Sequence, residues 1–402
     1  MAGKGESHWE RESSDRFPLS FSIFLLLLLL LLLNLFSVSQ PLQLFSPTQA
    51  DPSRVHRLLR LPPSSTGLCG VISEKTLRKL AEIRRAGESE KKKKTTTLLV
   101  IVTGARMTTL CRRLPFLPAC DAVAAEGGGR LFWASSAFPK GGAGEANGNG
   151  NGGGGDDEQP STSSSLPPPT LCDLREDTAW RMRHAAAAGP PSTNEGLSPR
   201  QREGALWEVF RRLEEEGWSP DASGYSTSFR LPLLSKSKST SNSDANANAD
   251  SKTGDKTEQD LDRVLSSLPP CLSSSRNLGC ADIFPATSGK EAVGRHVAAT
   301  LGVDLRNCCF LCDDDNDLPL AAAVGRAFVV GATHPSVERA IAEAEAEGED
   351  GRFWTVGNGL EGTLAADAAV EAAAEHLRHV LEKEEEEEVE EEVAQARAPV
   401  FA

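Results

Sequence analysis

The segment "CCFLCDDDND", residues 308 to 317, constrains the fold of this chain more than any other stretch. Its first five residues predict a strand buried on both faces, which is typical of a parallel sheet covered by helices. Four aspartates and an asparagine follow directly. Because ligand sites of open α/β sheets lie at the carboxyl ends of strands, we expect this acidic loop to belong to a site.

A second segment, "TTTLLVIVTGAR", has the same layout of apolar strand followed by polar turn. Before it, "ISEKTLRKLAEIRRAG" predicts a helix with Ser73 as its N-cap and Gly87 as its stop. Later, "SGKEAVGRHVAATLG" predicts another helix, with Lys290 in its first turn. Helices alternating with buried strands predict an α/β fold with a doubly wound, Rossmann-like core.

The middle of the chain predicts an inserted α+β module whose loops are expanded. The helix signal "SPRQREGALWEVFRRLEEEGW" begins at Ser198 as N-cap, and "GYSTSFRL" alternates like a strand. Low-complexity inserts at 139–170 and 235–259 interrupt this module. The predicted divisions are an N-terminal targeting or disordered segment (1–66), the first part of the core (67–130), the inserted module (131–282), the second part of the core (283–375) and an acidic tail (376–402).

Three interpretations of the acidic loop can be weighed from the residues. An EF-hand starting at Asp313 would place Leu318 where Gly is needed and Val324 where a bidentate Glu is needed, which excludes it. A solvated acidic turn is the second interpretation. The third is a magnesium site, in which Asp313 and Asp317 supply two carboxylates and phosphate or water supplies the rest.

Two other features bear on the magnesium interpretation. Lys290 at a helix start could balance anionic charge, although an ordinary surface lysine gives the same pattern. The upstream glycine of a P-loop is missing, since position 284 is Phe. Thr103 and Gly104 follow the other strand, and their hydroxyl and backbone N–H groups could hold phosphate oxygens.

The order "VIVTGAR", inserted module, "SGK", "CDDDNDLPLA" resembles the haloacid dehalogenase superfamily, in its branch with a large α+β (C2-type) cap that includes sucrose-phosphatase-like proteins. The resemblance implies a Mg²⁺-dependent phosphatase acting on a small phosphorylated metabolite, with a sugar phosphate as the family-level expectation. It implies that Thr103 binds the phosphoryl group, Lys290 neutralises it, Asp313 and Asp317 hold Mg²⁺, and Asn316 orients its neighbours. The reaction would proceed through an aspartyl-phosphate.

The first motif of this family, D-x-D-x-T with the nucleophile, is missing from the sequence. No Asp occurs between Asp51 and Asp121, and "RLLRLPPSSTGLCGV" stands where the motif is expected. The central strand that carries the nucleophile therefore also looks absent. We expect either that a short segment has been lost between Arg60 and Val71, or that the chain is a non-catalytic relative that binds metal or a phosphorylated ligand. The first is favoured, because a sheet without its central strand leaves backbone groups unpaired.

The N-terminal run "FSIFLLLLLLLLLNLF", residues 21–36, matches the apolar core of a signal peptide. Signal anchor, organellar targeting and a buried core helix stay open. The run predicts delivery to the secretory pathway or an organelle, or membrane association.

The net charge of −14 argues against nucleic acid as a partner. Much of it comes from the run 382–393, with nine Glu and one Lys, which predicts a solvated helical or disordered tail. Nine scattered cysteines indicate reduced thiols, and the C-x-x-C of Cys309 and Cys312 predicts core residues rather than a zinc site.

Overall fold

A computed structural model describes most of the predicted core and module. The described residues are 24–27, 57–64, 67, 69–88, 97–135, 137, 173–232, 256–277, 280–313, 315–330, 335–346, 348, 351–357, 360 and 362–397. The predicted insert at 139–170 lies outside them, as does the predicted insert at 235–259 up to residue 255.

The described strands, in chain order, are β1 Phe24–Leu27, β2 Leu58–Arg60, β3 Val71–Ser73, β4 Leu98–Val102, β5 Ala122–Ala125, β6 Arg130–Ala134, β7 Leu174–Glu176, β8 Phe229–Pro232, β9 Leu272–Asn277, β10 Cys280–Pro285, β11 Cys308–Cys312, β12 Arg326–Val330 and β13 Phe353–Val356. The described α-helices are α1 Glu74–Glu88, α2 Met107–Arg113, α3 Thr178–Met182, α4 Ala185–Ala188, α5 Pro191–Asn194, α6 Ala205–Glu215, α7 Glu258–Ser266, α8 Lys290–Leu301, α9 Leu318–Ala321, α10 Pro335–Ala346 and α11 Gly362–Arg397.

The core is an eight-stranded sheet with the order β13-β12-β11-β1-β4-β5-β6-β7. Strands β13 to β5 pair in parallel, and β6 and β7 continue the sheet in antiparallel pairing. One face packs against α1 and α11, with Leu80 and Ala369 in its core, and the other packs against α8, α9 and α10, with Val293 and Leu320. The expected doubly wound α/β core is therefore confirmed.

The inserted module folds around its own apolar cluster. Its three-stranded antiparallel sheet has the order β8-β10-β9, and α6 and α7 pack against it through Trp207, Phe210 and Leu261. This confirms the predicted α+β insertion, which we call the cap. The single helix predicted from Ser198 is wrong. Ser198 caps a short 3-10 turn, and α6 begins only after Gly204, whose φ of 110° interrupts the helix.

Local capping follows the sequence at α1. The hydroxyl oxygen of Ser73 accepts a hydrogen bond from the backbone N–H of Thr76 at 2.9 Å, as expected for an N-cap. The helix runs through Gly87 to Glu88, one residue past the predicted stop. At the other end of the chain, α11 extends through the acidic run to Arg397, so the predicted helical form of the tail is confirmed.

The leucine run contributes to the sheet, which corrects the sequence interpretation. Strand β1, from that run, lies between β4 and β11 and is parallel to both. The expectation that the central strand is absent is therefore wrong. A continuous apolar run suits this position, because a central parallel strand is buried on both faces. The rest of 21–36 lies outside the described residues, and within the part that the structure describes no helix is long and apolar enough to span a membrane.

The residues on either side of the expected loss, Arg60 and Val71, lie in paired strands. Strands β2 and β3 form an antiparallel pair in which Arg60 is the partner of Val71, and the backbone N–H of Leu61 donates to the carbonyl of Gly70 at 2.9 Å. A closed hairpin therefore joins Arg60 to Val71 and leads directly into α1.

Candidate functional site

Two of the predicted polar turns lie on either side of β1 at the same edge of the sheet. In the shared register, Leu27 is the partner of Ile101 on β4 and of Leu311 on β11. Thr103 and Asp313 each follow two residues after those partners. The structure thus brings the two turns together at the carboxyl edge of the parallel strands, where the sequence predicts a site.

The acidic loop is held by a buried lysine. Lys290 is the first residue of α8, and its ammonium nitrogen lies 2.5 Å from Oδ1 of Asp317. The same ammonium donates a hydrogen bond to Oδ1 of Asn316. The side chains of Lys290 and Asp317 are 4% and 0% exposed, so Asp317 does not belong to a solvated turn. The surface-lysine interpretation of Lys290 is also wrong.

The remaining polar groups of the loop complete this arrangement. The backbone N–H of Asp313 lies 3.5 Å from Oδ2 of Asp317, which places the two residues side by side. The carboxylate of Asp315 accepts a hydrogen bond from the hydroxyl of Ser336. Two carboxylates of the described part of the loop are therefore offset, that of Asp317 by a buried cation and that of Asp315 by a hydroxyl donor.

The turn after β4 presents backbone rather than side chain. Thr103 is fully buried, and its hydroxyl oxygen accepts from the N–H of Ala105 at 3.1 Å. Its carbonyl accepts from the N–H of Gly127 at 3.0 Å. A methyl group added to Gly104 would meet no heavy atom within 4 Å, because this residue faces an open cavity.

That cavity has a volume of about 550 Å³ and lies between the core and the cap. On the core side Gly104, Lys290, Asp315 and Asn316 line it. On the cap side it is lined by Tyr225, Ser228, Ser273, Ser274, Ser275, Arg276, Asp282 and Phe284. Thr103 and Asp317 are fully buried. Sequence reasoning missed the cap wall, because "SSSR" follows a low-complexity insert and has no chemical signature of its own.

The donor set at the end of β11 fits a magnesium ion that shares a phosphorylated ligand. Within the described ranges no group of three or more His, Cys, Asp or Glu side chains gathers to form a metal cage. Mg²⁺ does not need one, because it is usually held by one or two carboxylates together with water and phosphate oxygens. Asp313 and Asp317, side by side at the end of β11, would supply two carboxylates of this kind.

The cysteines of β11 take no part in this chemistry. Cys309 and Cys312 are buried, and burial raises the pKa of the Cys309 thiol to about 12. Burial also raises the pKa of the Cys312 thiol well above its ordinary value. Both are therefore thiols packed in the core, as the sequence predicts, and the eight cysteines that the structure describes are all free.

Comparison with known proteins gives similarity in structure only. No family model matches this sequence, and no curated protein matches it either. Among solved structures, the fold is similar to the sucrose-phosphatase of Synechocystis in complex with sucrose and phosphate, with a TM-score of 0.44 and 12% identity over 74% of this chain and 91% of that one.

Two further structures are similar at the same level. A haloacid dehalogenase-like hydrolase protein from Bacillus subtilis has a TM-score of 0.32 and 11% identity over 69% of this chain and 86% of that one. A Bacteroides thetaiotaomicron protein studied among phosphatases of the haloalkanoate enzyme superfamily has a TM-score of 0.35 and 13% identity over 82% of this chain and 91% of that one. These names agree with the resemblance that the motifs predict. At these identities and TM-scores they assign neither an activity nor a substrate to this chain.

Proposed function

We propose that the core–cap cavity is the phosphoryl-binding site of a Mg²⁺-dependent phosphatase-type protein whose ligand is a small phosphorylated metabolite. The observation that carries the proposal is the buried group formed by Lys290, Asn316 and Asp317 at the carboxyl edge of the sheet. Buried ions are stable only when paired, and Lys290 is paired with Asp317 while it also lines the cavity. A phosphate entering from the cavity would meet that cation.

Each residue then has a defined task. Lys290 donates to phosphoryl oxygens, and Asn316 and Asp317 fix the direction of its ammonium group. The backbone N–H groups of the Thr103–Gly104 turn supply further donors beside β4. Asp313 and Asp317 hold Mg²⁺, which when bound supplies positive charge that neutralises the phosphoryl oxygens.

The nucleophile is the part that this chain does not supply at the expected place. The phosphatase class transfers the phosphoryl group to an aspartate after the central strand, yet β1 reads "FLLL" and residues 28 to 33 are all leucine. We therefore propose that the phosphate and Mg²⁺ sites are intact, whereas aspartyl transfer requires a carboxylate that is missing from this sequence. A sugar phosphate is the expected ligand, since eight side chains of mostly polar type line the cap wall.

The test restores that carboxylate. Thr103 and Asp313 come two residues after the partners of Leu27, and counting two residues on from Leu27 gives Leu29. We expect a Leu29→Asp/Leu31→Asp variant to release phosphate from a panel of sugar phosphates only when Mg²⁺ is present. The matched Leu29→Asn/Leu31→Asp variant keeps the polarity but lacks the nucleophile, and it should be inactive.

The outcomes separate the two expectations from sequence. Activity in the Asp variant alone supports a phosphatase site that lacks only its nucleophile. Phosphate binding without release in both variants supports the non-catalytic alternative, a protein that binds metal or a phosphorylated ligand. The absence of both binding and release would refute the proposal.

A further inference from the structure

The turn Glu126–Gly129, with sequence "EGGG", lies where the core sheet, the cap and the helix carrying Lys290 meet. Glu126 has a φ of 54°, a left-handed conformation that is strained for a residue with a side chain, and Gly127 and Gly128 have φ values of 67° and 100°. A non-glycine residue in this region is strained and persists only where its surroundings hold it. The contacts of the turn show what holds it.

On the cap side, the buried carboxylate of Glu126 accepts hydrogen bonds from one cap segment. Its Oε2 accepts from the backbone N–H of Ser226 at 2.9 Å, and from both the backbone N–H and the hydroxyl of Thr227 at 2.7 Å. Gly129 packs against the same segment, because a methyl group there would lie 2.0 Å from Oγ1 of Thr227. The carboxylate thus depends on cap donors to offset its burial.

On the core side, the turn touches both halves of the proposed phosphate site. The N–H of Gly127 donates to the carbonyl of Thr103 at 3.0 Å. Gly128 packs on the residue before Lys290, because a methyl group there would lie 2.4 Å from the carbonyl oxygen of Gly289. The same carbonyl accepts from the N–H of Val293 at 3.0 Å, in the first turn of α8.

We propose that the Glu126–Gly129 turn couples the position of the cap to the placement of Thr103 and Lys290, with Glu126 as a positioning residue. This inference rests on the proposed function, in which those two residues bind phosphate. When the cap residues Ser226 and Thr227 lie against the turn, which we call the seated cap, they donate hydrogen bonds to the Glu126 carboxylate. The turn then holds Gly289 and Thr103 in position. When this cap segment moves away, Glu126 loses its hydrogen-bond donors and the strained turn relaxes. By thermodynamic reciprocity, phosphate bound in the core then favours the seated cap.

The first experiment removes one cap donor without changing shape. Thr227→Val deletes the hydroxyl that donates to Glu126 and keeps the backbone N–H. Thr193→Val is the control, because its hydroxyl also makes one cap hydrogen bond, to the carbonyl of Pro190 at 3.0 Å, at an exposed position away from the turn. Two readouts are made on the purified full chain: hydrogen exchange of individual amides, and binding of inorganic phosphate with Mg²⁺ by calorimetry.

We expect Thr227→Val to speed exchange at the core amides Gly127 and Val293 and to weaken phosphate binding by about fivefold or more, the lower end of usual coupling between sites. Thr193→Val should change neither. Faster exchange confined to Ser226 and Thr227, with unchanged phosphate affinity, would overturn the coupling. Absence of phosphate binding in the unchanged protein would instead refute the proposed function, and the exchange readout would still decide whether cap and core are coupled.

A second pair of variants tests the core side. Gly127→Ala and Gly128→Ala both place a methyl group on a residue of positive φ, 67° and 100° respectively. Only the second also meets Gly289 and Val293, since nothing lies within 4 Å of a methyl group on Gly127. We expect phosphate affinity to fall further in Gly128→Ala than in Gly127→Ala. Thermal unfolding of both variants is measured to check that each is folded. Equal affinity in two folded variants would contradict the proposed route to Lys290.

Discussion

Lys290→Met tests whether the acidic loop depends on its lysine for folding. The ammonium of Lys290 lies 2.5 Å from Asp317, and the two side chains are 4% and 0% exposed. Methionine keeps the length of the side chain and removes its charge, which leaves the Asp317 carboxylate buried beside the neutral amide of Asn316. Removing one partner of a buried pair costs about 3–5 kcal/mol, because the other charge is left uncompensated.

The same helix offers a matched control. Arg295 pairs with Glu291 at 2.8 Å, but these side chains are 57% and 40% exposed, and exposed pairs of this spacing contribute about 0.3–0.5 kcal/mol. Arg295→Met should therefore cost roughly a tenth of what Lys290→Met costs. The free energy of unfolding is measured by urea titration with circular dichroism for both variants and for Lys290→Met/Asp317→Asn.

The double variant isolates the pair. Because the amide introduced by Asp317→Asn carries no buried charge, the double variant should recover part of the stability lost in Lys290→Met. A loss below about 1 kcal/mol in Lys290→Met, comparable to that of Arg295→Met, would refute the reasoning that Lys290 and Asp317 form a buried, mutually dependent pair.

Three further predictions follow from other parts of the molecule. Burial lowers the pKa of His184 from 6.5 to about 4, so the unfolded chain gains a proton first as the pH falls. His184 alone should contribute a loss of about 3 kcal/mol in the free energy of unfolding between pH 7 and pH 4, and His184→Phe should remove that part of the loss. Iodoacetamide should label the exposed Cys111 and Cys271 in the folded protein and spare Cys309, whose pKa is about 12; peptide mass mapping that finds Cys309 modified in folded protein would contradict its burial. The protein isolated from its own cells should retain residues 24–27, because their loss would open the sheet between β4 and β11. An intact mass showing that the isolated protein lacks these residues would contradict the place given to β1.

The sequence predicts the core well where the chemistry is local. The apolar runs that become β4 and β11 have the period and length of buried strands, and the helix start at Lys290 is marked by the preceding Ser-Gly. The two strand ends place Thr103, Asn316 and Asp317 at one edge of the sheet, whereas Lys290 joins them only through the resemblance of the motif order. The degree of burial of Lys290 could not be predicted, because it depends on how the cap covers the cavity.

The sequence is misleading where a segment has the same composition as a different class of segment. A run of leucines is equally apolar in a signal peptide and in a central strand, and only its pairing with β4 and β11 distinguishes the two. Glu126 gives no signal as a positioning residue, since its donors Ser226 and Thr227 lie 100 and 101 positions further along the chain. Long-range partners of this kind are set by the packing of two folded units rather than by local sequence.

The most direct measurement is calorimetric titration of inorganic phosphate into the purified chain with and without Mg²⁺, beside Lys290→Met/Asp317→Asn. We expect one phosphate bound per chain, weaker binding when Mg²⁺ is removed, and a loss of about tenfold to 150-fold in the variant, the effect of removing a charge-assisted hydrogen bond of about 1.5–3 kcal/mol. Absence of binding, or binding that is unchanged in the variant, would contradict a phosphoryl site at Lys290.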